Sequence, residues 1–351
     1  MWHRERRSHT SGYTEHGGRG RAEGCRRRRL PLAVVLVLAA ALAAAPVAWA
    51  VDAFRIGTGG STGVYYPIGK AIAAGLTEAA ASSDSPLHGK IAIAQNSAGS
   101  IENVRGLLIG DLEVGLVQAD IAALAEQRQG AFSQLPREGA LRALAALYPE
   151  KLQVVVRRDA GVTKFVDLRG KRFSVDEEGS GTRAIMSIAL AAHGLSESDL
   201  QPLYLKPAFT EDKMRDGQLQ GFAIMAGTPN VAVSKLVEVG VTLVPVEAEV
   251  AARIHQRHPF LTPGMVGGDI YPGVAETPTL EVHALLVVNA AMPEDLAHSV
   301  TEALFDEHTG ALLRQGHPLG KAIGLDSALR GLSIPLHQGA ERFYRQRRMV
   351  P

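Results

Sequence analysis

From Val51 onward the chain repeats one local pattern four times: a short apolar run, a loop of glycine, serine and threonine, then apolar residues at helical spacing. Phe54-Arg55-Ile56 leads into Gly57-Thr58-Gly59-Gly60-Ser61-Thr62-Gly63, and Ile68, Ala71, Ile72, Gly75 and Leu76 then mark one helix face. Pro67 falls in or just after that helix's first turn, where a missing N–H costs little. In the second copy Ile91-Ala92-Ile93-Ala94 is followed by Gln95-Asn96-Ser97-Ala98-Gly99-Ser100 and a helix with Ile101, Val104 and Leu108 aligned. The third has Arg172-Phe173-Ser174-Val175, the loop Glu178-Gly179-Ser180-Gly181-Thr182, and Ile185, Ile188, Ala189 and Ala192 on one face; His193-Gly194 closes that helix. In the fourth, Gly221-Phe222-Ala223-Ile224-Met225 precedes Ala226-Gly227-Thr228-Pro229, which predicts Thr228 as N-cap and Pro229 as first helical residue. Repeated strand-loop-helix units argue for parallel sheets covered by helices, an α/β architecture.

Three further apolar runs read as strands. Glu113-Val114-Gly115-Leu116-Val117 ends at Gln118-Ala119-Asp120, Leu152 to Val156 lies midway, and Val282 to Val288 lies later. The last two are placed to carry the chain out to a second lobe and back. The expected organisation is a first lobe over 51–152, a second over 153–280, and a return to the first over 281–351.

The first 50 residues differ in kind. An arginine-rich stretch ends at Arg26-Arg27-Arg28-Arg29, an apolar run follows from Leu30 to Ala45, and Ala48-Trp49-Ala50 has the form of a cleavage site. That order predicts a signal peptide over 1–50, cut after Ala50, and hence a periplasmic protein; the apolar run is short for a membrane span. The segment ahead of the apolar run is long for a leader, so a start downstream of Met1 is expected. Nine of the 37 basic and three of the 36 acidic residues fall in this stretch, leaving 28 and 33, a balance of −5. The remainder therefore shows no basic patch of the kind a nucleic-acid partner requires. The single cysteine, Cys25, also lies in the leader, so no disulfide, thiol nucleophile or lipid-anchor cysteine is expected beyond it.

The opening loop is not a nucleotide cradle. The P-loop pattern needs a lysine that is absent, and the dinucleotide fingerprint fails at Thr62, where a third glycine would stand. What remains is the physics those motifs share: unpaired N–H groups at the positive end of a helix bind a carboxylate as readily as a phosphate. Ser61, Thr62 and Gly63 can offer N–H groups and two hydroxyls, while Gly59 and Gly60 let a ligand approach closely. Ser180-Gly181-Thr182 and Gly227-Thr228 carry the same equipment, and in an open parallel sheet such loops gather at the carboxyl ends of strands. Catalytic patterns fail: Glu178 breaks G-x-S-x-G around Ser180, and His255 with His258 lacks H-E-x-x-H and a third ligand. No nucleophile, base and oxyanion site assembles, so no enzyme, metal or cofactor is expected.

An ordered series of motifs spans nearly all of the chain after Val51. It runs Phe54 to Pro67, Gly99-Ser100-Ile101-Glu102-Asn103, Leu116-Val117-Gln118-Ala119-Asp120, Leu147-Tyr148-Pro149-Glu150, Asp167-Leu168-Arg169-Gly170-Lys171, Gly179-Ser180-Gly181-Thr182, Ala226-Gly227-Thr228-Pro229-Asn230 and Ile334-Pro335-Leu336-His337. This series resembles the TAXI family, the extracytoplasmic solute-binding subunits of tripartite ATP-independent periplasmic (TRAP) transporters. The resemblance implies a two-lobed fold of the type II periplasmic-binding-protein kind with a ligand cleft between α/β lobes. It implies a bound dicarboxylate or acidic amino acid such as glutamate or 2-oxoglutarate, and delivery by a monomer to a permease driven by an ion gradient. By resemblance the ligand contacts are Gly60, Ser61, Thr62, Gly63 and Tyr65 with Ser97 and Gln118 from the first lobe, and Ser180, Gly181, Thr182 and Thr228 from the second, with Arg183 as partner for a second carboxylate. Asn96-Ser97-Ala98 departs from the threonine common ahead of the Gly-Ser pair, and Gln338 from a proline; the former bears on ligand choice. A sensor subunit on the same fold and a secreted α/β hydrolase are the alternatives.

Overall fold

The computed structural model describes residues 52–135 and 140–350. The expected signal peptide lies outside the described residues. The described residues belong to one compact unit.

The first three strands are β1 (Asp52–Gly57), β2 (Lys90–Gln95) and β3 (Val114–Gln118), with helices α1 (Tyr65–Ala79), α2 (Ser100–Ile109) and α3 (Ala119–Glu126) following them in turn. The long β4 (Leu141–Arg157) comes next. Then follow β5 (Arg172–Ser174), α4 (Gly181–Ala192), β6 (Gln201–Leu203), α5 (Glu211–Arg215), β7 (Gly221–Ala226), α6 (Val231–Ser234), β8 (Val241–Leu243), α7 (Ala248–Arg257) and β9 (Thr262–Val266). The chain ends with β10 (Thr277–Asn289), α8 (Glu294–Leu304), α9 (Glu307–Gly316) and α10 (Gln338–Gln346).

All ten strands join one mixed sheet in the order β2-β1-β3-β10-β4-β7-β5-β6, with β8 beside β4 and β9 beside β10. Pairing is parallel among β2, β1 and β3 at one end and among β7, β5 and β6 at the other. Between them β10 and β4 run antiparallel to each other and to their outer neighbours. Each serves both ends: β4 pairs with β10 through Leu141 to Lys151 and with β7 through Lys151 to Val156, while β10 pairs with β9 and then with β3. The expected strands at 152–156 and 282–288 are therefore parts of longer crossing strands. Pro149, which has no N–H to give the ladder, sits next to an irregularity in the β4–β10 register.

Alternate residues point to opposite faces, and each face has its own core. Phe54, Ile56, Leu116, Leu144, Leu286 and Phe222 pack on one side with Ile68 and Ile72 of α1 and Phe343 and Tyr344 of α10. Val117, Ala143, Val154, Leu285 and Val287 pack on the other with Ile121 of α3 and Ile185 and Met186 of α4. Tyr344 ties the C-terminal helix down by donating its hydroxyl to the Leu144 carbonyl at 2.9 Å. Among the described residues no helix is long and apolar enough to cross a membrane.

One predicted helix start is corrected. Thr228 is not a cap: the Thr228–Pro229 peptide is cis, and α6 begins beyond it with Asn230 as N-cap, its Oδ1 accepting the Ala232 N–H at 2.9 Å. Asparagine outranks threonine as an N-cap and stands closer to the helix. The close of α4 follows expectation, with His193 at the C-cap and Gly194 at φ +71°.

Candidate ligand-binding cleft

A cavity of about 290 Å³ opens at the carboxyl ends of β1, β2, β3, β5 and β7. The loop after β1 supplies Gly59 to Val64, and Tyr65 stands at the start of α1. Asn96, Gly99 and Ser100 follow β2, Gln118 ends β3, and Asp176, Glu177, Ser180, Gly181 and Thr182 follow β5. Ile224, Met225 and Ala226 at the end of β7 make an apolar wall, and Lys206 to Phe209 border the cavity from the loop after β6.

The N-terminus of α1 is equipped for an anion. Its N-cap, Val64, gives no side-chain hydrogen bond, and no acidic residue stands in the first turn. The unpaired N–H groups of that turn carry partial positive charge. Gly60 has nothing within 4 Å of where a Cβ would lie, so the loop leaves room for a ligand. Among the described residues the Ser61 and Thr62 hydroxyls have no protein partner, whereas Thr58, buried one turn below, is bonded to the Gln95 carbonyl.

The N-terminus of α2 has a different occupant. Ile101 N–H and Glu102 N–H both donate to the Gly179 carbonyl, at 3.1 and 3.3 Å, joining the loop after β2 to the loop after β5. Gly99 there has φ +121°, a conformation only glycine adopts without strain. Ser97 is a brace rather than part of the lining: its hydroxyl donates to the Thr58 carbonyl at 2.9 Å and accepts the Gly99 N–H at 3.0 Å. Asn103 bridges the Thr58 and Leu116 carbonyls, wiring the ends of β1 and β3 together.

At α4, Ser180 is the N-cap, accepting the Thr182 N–H at 3.0 Å and donating to Asp176 Oδ2 at 2.7 Å. Burial pushes the Asp176 carboxyl up to about 6 against these bonds. Thr182 accepts the Met225 N–H on its hydroxyl at 3.0 Å, so that group locks β7 to α4.

Nine of the residues singled out from the sequence meet at this cavity: Gly60, Ser61, Thr62, Gly63, Tyr65, Gln118, Ser180, Gly181 and Thr182. Ser97, Arg183 and Thr228 do not line it. Arg183 is corrected as a partner for a second carboxylate. Its guanidinium is held by Glu197 through two bonds of 3.1 and 3.0 Å and lies over the Tyr204 ring, 4.4 Å from its centre.

The cavity also holds charged groups to which sequence reasoning gave no role. Glu150, 2% exposed, accepts the Tyr65 hydroxyl on Oε2 at 2.9 Å, and burial pushes its carboxyl up to about 8. Lys206 pairs with Glu177 at 3.0 Å. Glu150 belongs to the quoted Leu147-Tyr148-Pro149-Glu150 motif, which was the available signal; Lys206 to Phe209 lie in the connection after β6, where Pro207–Phe209 form a 3-10 turn and the sequence carries no motif.

A family model described as the NMT1-like family matches residues 56–347. Among solved structures, a protein from Bordetella bronchiseptica RB50 is 18% identical, with 83% of this chain and 82% of that one covered and a TM-score of 0.51. The periplasmic aliphatic sulphonate binding protein SsuA from Escherichia coli is 16% identical over 86% of this chain and 95% of its own, at a TM-score of 0.43. A binding component of a Pseudomonas aeruginosa ABC phosphonate transporter is 9% identical over 76% and 79%, at 0.47. At such identities the likeness concerns the fold alone, a mixed α/β sheet covered by helices. With the family model matched over most of its length, the chain belongs to the NMT1-like family.

Proposed function

We propose that this protein is an extracytoplasmic solute-binding protein that holds a small organic carboxylate in the cavity and delivers it to a TRAP-type membrane permease. The observation that carries the reading is the uncapped, acid-free N-terminus of α1 facing a cavity of ligand size at the strand carboxyl ends. Such a terminus binds anions without further machinery, and pockets of roughly this volume suit small ligands. The crossing of β4 and β10 supports two lobes, 51–152 with 281–351 and 153–280, closing on the ligand. The signal peptide and the permease rest on the leader pattern and the ordered motifs of the sequence.

A hydrolase built on Ser180 finds no support. That hydroxyl serves as a helix cap bonded to Asp176, and among the described residues no histidine lines the cavity.

The test is thermal unfolding of the purified protein, stripped by unfolding and refolding, against carboxylates, amino acids, sulfonates, phosphonates and nucleotides. A ligand at 100 times its Kd stabilises the fold by about 2.7 kcal/mol. A shift with a small carboxylate is expected. A response confined to sulfonates or nucleotides, or none at all, contradicts the reading.

A further inference from the structure

The cavity that carries the proposed function is not the positive cradle that an anion alone would call for. Its lining includes three carboxyl groups, Glu150, Asp176 and Glu177, against one cation, Lys206. Glu177 is paired with Lys206, and Asp176 accepts the Ser180 hydroxyl and the Glu177 N–H. Glu150 is different. Its Oε2 takes the Tyr65 hydroxyl, its Oε1 has no hydrogen-bond partner, and among the described residues no Lys, Arg or His forms an ion pair with it. A carboxyl 98% removed from solvent, standing in a ligand cavity without a cation, is costly in its charged form unless a partner arrives. A dicarboxylate would add two negative charges beside it. A ligand with one carboxylate and one ammonium answers both ends, with the anion at the α1 N-terminus and the cation at Glu150.

We propose that Glu150 is the specificity-determining residue of the cavity, and that it selects small amino carboxylates by receiving their ammonium group. This rests on the binding reading above and narrows its ligand class. The groups around Glu150 agree with the role. Tyr65 of α1 fixes one oxygen, the buried Asp120 of α3 and Tyr148 of β4 stand near without offering positive charge, and burial pushes the Glu150 carboxyl up to about 8. An arriving ammonium stabilises the ionised carboxylate, so the Glu150 proton passes to solvent as the ion pair forms.

The experiment compares matched pairs that differ in the amine, alanine with propionate and glutamate with glutarate, with 2-oxoglutarate beside them, by calorimetric titration of the wild type and Glu150→Gln. The amino member of at least one pair should bind about tenfold or more tightly than its deamino partner. Glutamine keeps an acceptor for Tyr65 but no charge, and should cut that preference to about threefold or less. In the wild type, titrations at pH 7 in phosphate and in Tris should show release of close to one proton with the amino ligand and none with the deamino one. This readout stands even if the variant does not fold. Equal or tighter binding of the deamino member, an unchanged preference in Glu150→Gln, or no proton release overturns the inference and leaves the binding role intact. Binding of no member of any pair overturns both.

Discussion

The Gln118 side chain fills the space beside Gly181: a Cβ built on that glycine would lie 2.2 Å from Gln118 Oε1 and 2.6 Å from its Cδ. Gln118 ends β3 and Gly181 begins α4, so the contact joins the two halves of the cavity wall. Gly181→Ala should lower unfolding free energy by about 1–3 kcal/mol, the usual result of overpacking. It should also weaken ligand binding by about tenfold or more, since the wall must part. Adding Gln118→Ala should recover most of the stability. Denaturant titrations of Gly181→Ala, Gln118→Ala and the double variant check this, and additive losses would contradict it.

Thr62 and Thr182 both line the cavity but should respond differently. The Thr182 hydroxyl accepts the buried Met225 N–H, so Thr182→Ala should destabilise the fold by about 1–3 kcal/mol while Thr182→Ser is spared. Among the described residues the Thr62 hydroxyl has no protein partner, and Thr62→Ala should leave stability within about 0.5 kcal/mol while weakening ligand binding. Paired unfolding and binding measurements separate the two; equal stability losses would contradict the assignment.

Arg183→Gln should leave ligand affinity unchanged, because its guanidinium is bonded to Glu197 outside the cavity. A partly exposed pair of this kind contributes about 1 kcal/mol or less to stability. Loss of affinity by a factor of ten would return Arg183 to the site.

Three buried carboxyls should each make stability fall as pH rises. Burial, the largest cause in each case, pushes Glu150 up to about 8, Asp120 to about 7 and Asp176 to about 6. Each holds its proton more tightly in the folded chain than in the unfolded one, where carboxyls titrate near about 4. The stability they contribute is fully present below the unfolded values and is lost as pH climbs through the folded ones. Between about pH 4 and its own folded value each group adds a slope of up to about 1.4 kcal/mol per pH unit. Glu150→Gln should flatten the upper part of this decline in urea unfolding series at pH 5, 6.5 and 8.5; parallel curves for variant and wild type would contradict it.

The strand-loop-helix units were legible because each carries its own punctuation: the apolar stripe of α1, Gly194 closing α4, the run of β7. The crossing strands were legible only in their most apolar stretches. The first half of β4 is rich in alanine and contains Pro149, so it shows neither period-2 alternation nor β-branched enrichment, and its length comes from pairing with β10. The same limit governs the site. Loops at helix starts announce their N–H groups, and those of α1 and α4 do meet. Whether a polar side chain faces the ligand or braces the wall is decided by its partner, as Ser97 shows by bonding Thr58. The place of Glu150 likewise follows from a hydroxyl 85 residues earlier in the chain.

In the proposed binding mode the N-terminus of α1 holds the ligand's carboxylate. Gly60→Asp tests it most directly, because a Cβ there meets nothing within 4 Å and the position needs no positive φ, so the backbone accepts a side chain. The aspartate would place a negative charge where the ligand's belongs and favour the helix end at the ligand's expense. Calorimetric titration with a carboxylate that stabilises the wild type should show affinity reduced about 100-fold or more, with unfolding free energy unchanged or slightly raised. Wild-type affinity in Gly60→Asp would contradict the account.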